Sequence, residues 1–96
     1  MLMRIARFEV MPDTVQGFKA ATLTHVAHSQ AEPGVHRFEF YEEEGENRFL
    51  LLIHFDSPEA RDEHFTTDHY REWREQITPM LAKSIEGLTC FPVKRD

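Results

Sequence analysis

Residues 48–55 are the segment that most constrains the fold of this chain. Alternate residues of a strand point to opposite faces of a sheet, and both faces of this segment are mostly apolar. One face would carry Phe49, Leu51, Ile53 and Phe55, and the other Leu50, Leu52 and His54. A strand in a sheet covered on one side only would alternate apolar and polar residues. We therefore expect both faces of this strand to be buried.

The pattern along the rest of the chain predicts the element order βαββαβ. The expected elements are a strand at residues 3–10, a helix at residues 13–30, strands at residues 35–42 and 48–55, a helical region with a break at residues 58–84, and a strand at residues 88–94. This order predicts an α+β, ferredoxin-like fold with both helical regions on one face of the sheet.

Local signals set the expected ends of these elements. Asp13 and Gln16 have the spacing of a capping box at the start of the first helix. Ser57 is expected to cap the second helical region, with Pro58 at its first position. Pro92 indicates that the last strand is an edge strand or contains a bulge.

Length and charge restrict the assembly and the class of partner. A chain of 96 residues forms one domain, residues 1–96, and it is too short to cover the second face of the sheet. We therefore expect a homodimer that packs sheet against sheet. The net charge of −6 argues against nucleic acid or an anionic membrane as partner.

The same sequence predicts a cytoplasmic protein. No apolar run reaches the roughly 18 residues of a membrane span, and residues 1–4 lack the apolar core of a signal peptide. The single cysteine, Cys90, cannot form an internal disulfide.

Two histidines and the single tryptophan lie within residues 64–73. On an unbroken helix, His64 and His69 would lie about 140° apart and share no face. The segment Thr66-Thr67-Asp68 between them is rich in helix-capping residues. We predict that one helix ends near His64 and another begins near Asp68, so that the corner brings both imidazoles together. Trp73 then lies one turn after His69 on the same face.

The first helix has an unusually polar candidate for its buried stripe. Spacings of three and four residues define the stripe Phe18, Thr22, His25, Val26 and Ser29. Buried polar groups need partners, so this stripe favours a cavity that holds water or a polar ligand. In the alternative interpretation, Ala20, Leu23 and Ala27 are buried, and His25 and Ser29 are surface residues.

Taken together, these features resemble the antibiotic biosynthesis monooxygenase domain, which includes quinol monooxygenases. The resemblance is carried by Glu32-Pro33-Gly34 before a strand with Phe38, by residues 49–55, and by Ser57-x-Glu59-Ala60-x3-His64-x2-Thr67-x-His69-Tyr70-x2-Trp73. It covers almost the whole chain. It implies a dimeric α/β barrel with a pocket between helices and sheet in each subunit. Family members include oxygenases of aromatic polyketides and quinols that use no cofactor, haem-degrading enzymes, and an isomerase of a phosphorylated sugar.

The resemblance also singles out His54 on the third strand. Many relatives carry a glutamate there, where a carboxylate could orient an imidazole or accept a proton. A histidine would change the charge and hydrogen bonding of the pocket, or be a neutral replacement at its rim. We include His54 among the expected substrate contacts.

Cofactor-free oxygenation requires a base near neutral pKa, aromatic walls and exclusion of water. The candidate bases are His64, His69 and His25, and the start of a helix at His69 favours its neutral form. The candidate substrate contacts are Trp73, Tyr70, Phe18, Thr22, Ser29, Phe38 and His54. The expected partners are a small aromatic substrate and dioxygen, with no cofactor. The pocket is expected on the helical side of the sheet, with Phe38 or a neighbouring residue as floor.

Each of these residues also has a purely structural interpretation. His64 could cap its helix, His69 could be solvated, and Trp73 could be core.

His25 and His28 lack a third ligand close in sequence, so no metal is expected. Haem degradation is disfavoured because its relatives carry an asparagine on the first strand, and residues 1–10 contain none. An isomerase of a phosphorylated substrate would need a cation in the pocket, for which Arg37 is the strand candidate. A non-enzymatic role in binding a small molecule also remains open.

Overall fold

The computed structural model describes residues 1–94 as one antiparallel four-stranded sheet with helices on one face. The elements are β1 (Leu2–Glu9), α1 (Val15–Gln30), β2 (Val35–Glu42), β3 (Arg48–Phe55), α2 (Pro58–Phe65), α3 (Asp68–Ile77) and β4 (Glu86–Cys90). The strand order across the sheet is β2-β3-β1-β4. The predicted α+β, ferredoxin-like arrangement is therefore confirmed. Among the helices of residues 1–94, none has the length and apolar character that a bilayer crossing requires.

The core lies between the helices and the inner face of the sheet. The odd-numbered residues of β3 from Phe49 to Phe55 are all buried on this face. Phe18 of α1 packs on Phe8 of β1 and Phe49 of β3, with ring centroids 5.5 and 5.0 Å apart. Phe18 is therefore a core residue that joins α1 to the sheet, and its expected contact with substrate stays a prediction.

The outer face of the sheet carries an apolar row. Ile5 of β1 lies between Leu52 of β3 and Leu88 of β4 in the strand register. Leu52 is partly buried, whereas the side chain of Leu88 is 51% exposed. No helix within residues 1–94 packs on this face, so the row is open in the single chain.

The break between α2 and α3 agrees with the prediction, since α2 ends at Phe65 and α3 begins at Asp68, and the N-cap of each helix forms. The Ser57 hydroxyl accepts a hydrogen bond from the Ala60 N–H at the start of α2, at 3.1 Å. The Thr67 hydroxyl accepts one from the Tyr70 N–H at the start of α3, at 3.2 Å.

Several element ends differ from the prediction, and three of the differences concern the residues that were expected to set them. The capping box at Asp13 is wrong, because Pro12–Thr14 form a short 3₁₀ turn and Thr14 becomes the N-cap of α1. The second helical region is shorter than expected, since it ends with a turn at Thr78–Met80. The last strand ends at Cys90 instead of residue 94, since Pro92 has no N–H to donate to a neighbouring strand.

Candidate active site

The polar stripe of α1 is buried, as the first of the two interpretations expects. Thr22, His25 and Ser29 are each no more than 2% exposed, while Leu23 of the alternative stripe is 58% exposed. The helix therefore presents an imidazole and two hydroxyls to the protein interior.

The corner between α2 and α3 brings His64 and His69 together. Thr67 fixes this corner, because its hydroxyl donates to the His64 carbonyl oxygen at 2.8 Å in addition to capping α3. The ring centroids of the two histidines lie 5.7 Å apart. His25 lies within 5.4 Å of the His64 ring and 5.1 Å of the His69 ring. The three candidate bases thus form one cluster.

A carboxylate that the sequence analysis did not single out as functional joins two of these histidines. One oxygen of Glu32, Oε2, accepts a hydrogen bond from His64 Nδ1 at 2.8 Å and another from His69 Nε2 at 2.9 Å. Glu32 lies two residues beyond the end of α1, where the negative end of the helix dipole disfavours a carboxylate. That unfavourable position is the signal that could have indicated a role for Glu32.

The hydrogen bonds of Glu32 determine the tautomers of the cluster. His69 uses its Nε2–H toward Glu32, so neutral His69 has an unprotonated Nδ1. That atom lies 3.2 Å from His25 Nδ1, which must then be the donor. His25 Nε2 is left as an unprotonated nitrogen, buried and without a hydrogen-bond partner among residues 1–94. The chain of hydrogen bonds therefore ends in a free lone pair on His25.

Burial keeps two of the imidazoles neutral. It lowers the pKa of His25 from 6.5 to about 3, and the neighbouring His64, His69 and His28 act in the same direction. Burial also lowers the pKa of His64, although the hydrogen bond and charge of Glu32 act to raise it. Neutral imidazole is the form that can accept a proton.

The hydroxyls of Thr22 and Ser29 form buried hydrogen bonds that support the histidine cluster. Thr22 Oγ1 accepts a hydrogen bond from the Trp73 indole N–H at 3.0 Å. The Ser29 hydroxyl donates to the backbone oxygen of His25 at 2.7 Å. Both hydroxyls are occupied and neither lines the cavity described next, so their contact with substrate stays a prediction that this geometry does not support. The Thr22 hydroxyl holds the Trp73 indole in place, and the Ser29 hydroxyl forms a hydrogen bond within α1.

A cavity of about 50 Å³ lies beside the cluster, between the helices and the inner face of the sheet. Its walls include His25, Phe38, Tyr70 and Trp73, all of which were expected at the pocket. Phe65 of α2, Arg4 of β1 and Arg74 of α3 also line this cavity. This position on the helical side of the sheet is the one expected for the pocket.

An open groove of about 440 Å³ adjoins the small cavity. Phe65, Tyr70 and Arg74 line both spaces. The Phe65 and Tyr70 rings are 5.0 Å apart, and Arg74 Nη1 donates to the Tyr70 hydroxyl at 3.0 Å. These three side chains therefore separate the inner cavity from the surface groove.

Two predicted residues lie away from the cluster. His54 is on the outer face of β3, because it alternates with the inward-facing Ile53 and Phe55, and it lines a different hollow with Met3 and Cys90. Arg37 of β2 is largely exposed and pairs with Glu39 at 2.8 Å. Neither residue lines the cavity beside His25.

The cluster also contains a donor set suited to a divalent metal. Donor atoms of Glu32, His64 and His69 all lie within 4.8 Å of one another. Two histidines and one carboxylate are ligands of both zinc and non-haem iron sites. Glu32 lies 32 residues from His64 and 37 residues from His69, so no short ligand motif in the sequence contains all three.

A close contact holds the Glu32 segment against α2. A β-carbon added to Gly34 would lie only 2.5 Å from the β-carbon of Ala60. The start of β2 therefore packs directly on α2, the helix that carries His64. This contact fixes the segment between α1 and β2, from which the Glu32 side chain reaches both histidines.

Comparison with known proteins shows the family. The model of the antibiotic biosynthesis monooxygenase family matches residues 1–76. An uncharacterised protein of Synechocystis sp. is 37% identical over 79 residues, which are 81% of this chain and 54% of that protein. The chain thus spans about half the length of that relative. A protein of Mycobacterium tuberculosis whose name proposes monooxygenase activity is 28% identical over 93% of this chain and 88% of its own length.

Solved structures agree with this relationship. A Nitrosomonas europaea protein, named for antibiotic biosynthesis monooxygenases, superposes with a TM-score of 0.93 at 26% identity, over 98% of this chain and all of the other. The structure of the M. tuberculosis protein superposes with a TM-score of 0.92 at 26% identity, over 98% and 96% of the two chains. The chain therefore belongs to the antibiotic biosynthesis monooxygenase family.

Proposed function

We propose that this protein is a cofactor-independent monooxygenase of a small hydroxylated aromatic or quinol-type substrate. The observation that carries the proposal is the hydrogen-bonded chain from His25 through His69 to Glu32, which leaves a free lone pair on His25 beside an aromatic-walled cavity. Family membership supports monooxygenation as the general kind of reaction.

The cavity of about 50 Å³ is smaller than an aromatic ring, so in the proposed reaction the Phe65 and Tyr70 side chains move and join it to the groove of about 440 Å³. His25 Nε2 then accepts the proton of a substrate hydroxyl. The resulting phenolate ring gives an electron to dioxygen, and the two radicals combine at a ring carbon. One oxygen atom stays on the ring, and the other leaves as water. For a hydroquinone, the products are a hydroxyquinone and one water molecule, so no external reductant is needed.

The remaining members of the cluster position and stabilise the base. When His25 takes up a proton, its Nδ1–H points to His69, whose Nε2–H points to the Glu32 carboxylate. The chain lets the proton pass from His25 through His69 toward the Glu32 carboxylate, so the positive charge does not stay on the His25 imidazole, whose burial lowers its pKa to about 3. His64 holds the same carboxylate oxygen from the other side, which fixes its direction.

Oxygen consumption tests this proposal. Protein with 1,4-dihydroxynaphthalene should take up oxygen faster than the autoxidation blank. His25→Gln, His69→Gln and His64→Gln should each lower the rate, by about 100-fold where the residue takes part in proton transfer. His36→Gln is the matched control, since His36 is exposed on β2 and pairs with Asp56.

Two outcomes would contradict the proposal. One is oxygen uptake no faster than the blank across a panel of quinols. The other is loss of activity on chelation with recovery on adding one divalent metal, which would show that Glu32, His64 and His69 act as metal ligands. Each variant must retain the wild-type circular dichroism spectrum for its rate to count.

A second candidate function has one observation in its favour. Arg4 and Arg74 line the cavity, and an isomerase of a phosphorylated metabolite would need such cations. The two candidates differ in their use of oxygen, which the same experiment measures.

We also propose that two copies of the chain pack through the outer face of the sheet. The open apolar row of Ile5, Leu52 and Leu88 supports this. The cavity lies on the opposite side of the sheet, so each subunit would contain its own site.

A further inference from the structure

Arg4 is an unusual residue for the inner face of a sheet. It lies on the same face of β1 as the buried residues Leu2, Ala6 and Phe8. Its guanidinium lies across Gly87 of β4, where an added β-carbon would overlap Nη2 of Arg4. The missing side chain at Gly87 thus leaves the space in which the guanidinium rests.

Arg74 approaches the same cavity from α3. Its Nη1 donates to the Tyr70 hydroxyl at 3.0 Å, but its Nε is buried with no hydrogen-bond partner among residues 1–94. A buried guanidinium nitrogen without an acceptor is unfavourable unless a ligand or water supplies one.

Neither guanidinium forms an ion pair with a carboxylate of residues 1–94. The sequence has 17 acidic residues and a net charge of −6, so carboxylates are abundant. Those of residues 1–94 that form ion pairs do so with other basic groups, such as Arg7, Lys19 and Arg37. Two guanidinium groups that have no ion-pair partner in the described part of the chain therefore line one small cavity.

We propose that Arg4 and Arg74 form an oxyanion-binding subsite, and that the substrate is a hydroxylated aromatic carrying a carboxylate or phosphate group. This inference rests on the proposed function for the identity of the reacting ring. Arginine donates in a planar fork that matches both kinds of oxyanion. An anion held there would direct the aromatic ring toward His25 and Trp73, which line the same cavity.

A packing role is the competing explanation. The Arg4 guanidinium lies 6.0 Å from the Phe65 ring centroid, and that of Arg74 lies 6.0 Å from the Tyr70 ring centroid. Such cation–π contacts would stabilise the walls without selecting any ligand. The two explanations differ in whether affinity depends on the charge of the ligand.

Ligand binding can be followed without any turnover. Trp73 is the single tryptophan of the chain, so its indole N–H gives one NMR signal that reports on the cavity. The probes are 2,5-dihydroxybenzoate and its neutral analogue 2,5-dihydroxybenzamide, titrated under argon. 4-Hydroxyphenyl phosphate distinguishes a phosphate preference from a carboxylate preference.

The wild-type protein should bind the benzoate or the phosphate at least about 10-fold more tightly than the benzamide, as expected for charge-assisted hydrogen bonds. Arg4→Gln and Arg74→Gln should each remove most of this preference while leaving benzamide affinity unchanged. Gly87→Ala should weaken it without changing the charge, because the added methyl group displaces the Arg4 guanidinium. Arg71→Gln is the control, since Arg71 is exposed on α3 and lies near Asp68 and Glu75.

Equal affinity for charged and neutral probes in the wild type would overturn the inference. So would a preference that survives in both arginine variants, or variants that weaken all three probes equally. The proposed function fails separately: a protein that prefers the anionic probes but consumes no oxygen would retain the subsite and lose the monooxygenase proposal.

Discussion

The imidazole of His25 lies parallel to the indole of Trp73, with ring centroids 4.2 Å apart and 2° between the ring planes. Trp73 is held in this orientation by its hydrogen bond to Thr22. Thr22 precedes His25 by three residues on α1, so one turn of the helix positions both the proposed base and its stacking partner. The orientation of His25 therefore depends on a hydroxyl that does not reach the cavity.

Thr22→Val should lower the free energy of unfolding by about 1–2 kcal/mol, since it leaves the buried Trp73 N–H without an acceptor. Urea unfolding measures this change. The matched control is Thr24→Val on the same helix, where the hydroxyl is exposed and contacts only the Ala20 carbonyl; its effect should stay within about 0.5 kcal/mol. Equal effects of the two variants would show that the Trp73 hydrogen bond contributes little.

The depressed pKa of His25 predicts a loss of stability toward acid pH. The unfolded chain takes up a proton at His25 as the pH falls below 6.5, whereas the folded protein does so only near pH 3. The unfolded state therefore binds more protons within this window, and the free energy of unfolding falls as the pH falls. Between pH 7 and pH 5 the loss from His25 is about 2 kcal/mol.

Urea unfolding at pH 7 and pH 5 tests this dependence. His25→Phe, which removes the titrating group, should flatten the profile by about that amount. His28→Gln, an exposed histidine on the same helix, should retain the wild-type slope. Parallel profiles for wild type and His25→Phe would mean that His25 keeps an ordinary pKa when folded.

Glu32→Gln should lower kcat by about 10- to 100-fold with little change in KM, because the carboxylate orients two histidines without lining the cavity. Glu32 raises the pKa of His64, so its removal should lower that pKa further. Any limb of the pH–rate profile that reports His64 should then move to lower pH. Glu63→Gln is the control, because Glu63 adjoins His64 but is exposed. A similar fold loss of kcat in Glu32→Gln and Glu63→Gln would argue against a specific role for Glu32.

Light scattering should give twice the chain mass of 11.3 kDa. Leu52→Asp or Leu88→Asp should yield monomers or unfolded chains, since each would place a carboxylate in the proposed interface between two sheets. Leu23→Asp should leave the mass unchanged, because Leu23 is exposed on α1. A monomeric wild type at micromolar concentration would refute the dimer.

The sequence predicts most of the fold because its signals are local. The two-residue alternation in β3 and the capping residues Ser57 and Thr67 act over a few neighbours, and the corresponding elements form. The start of α1 was mispredicted because Pro12–Thr14 form a separate turn. Both the capping-box spacing and this turn are compatible with the local sequence, so spacing alone could not choose between them.

The candidate site, too, is only partly predictable from the sequence. The meeting of His64 and His69, which are five residues apart, follows from the helix break at Thr66-Thr67, where the sequence displays helix-capping residues. Glu32 lies 32 residues from His64 and 37 from His69, so its role depends on how the helices pack on the sheet. The sequence does not predict Arg4 at the site, because a single charged residue in a strand usually faces solvent. The space that accommodates its guanidinium is created by Gly87 on the neighbouring strand.

The contact between Gly34 and Ala60 implies a limit on how this chain can diverge. Neither residue takes part in the proposed chemistry, yet a larger side chain at either position would push the Glu32 segment away from α2. Substitution scanning should therefore find both positions intolerant of bulk while every histidine is intact. During evolution, these two sites must stay small together, and their permitted residues should be correlated even though neither meets a substrate.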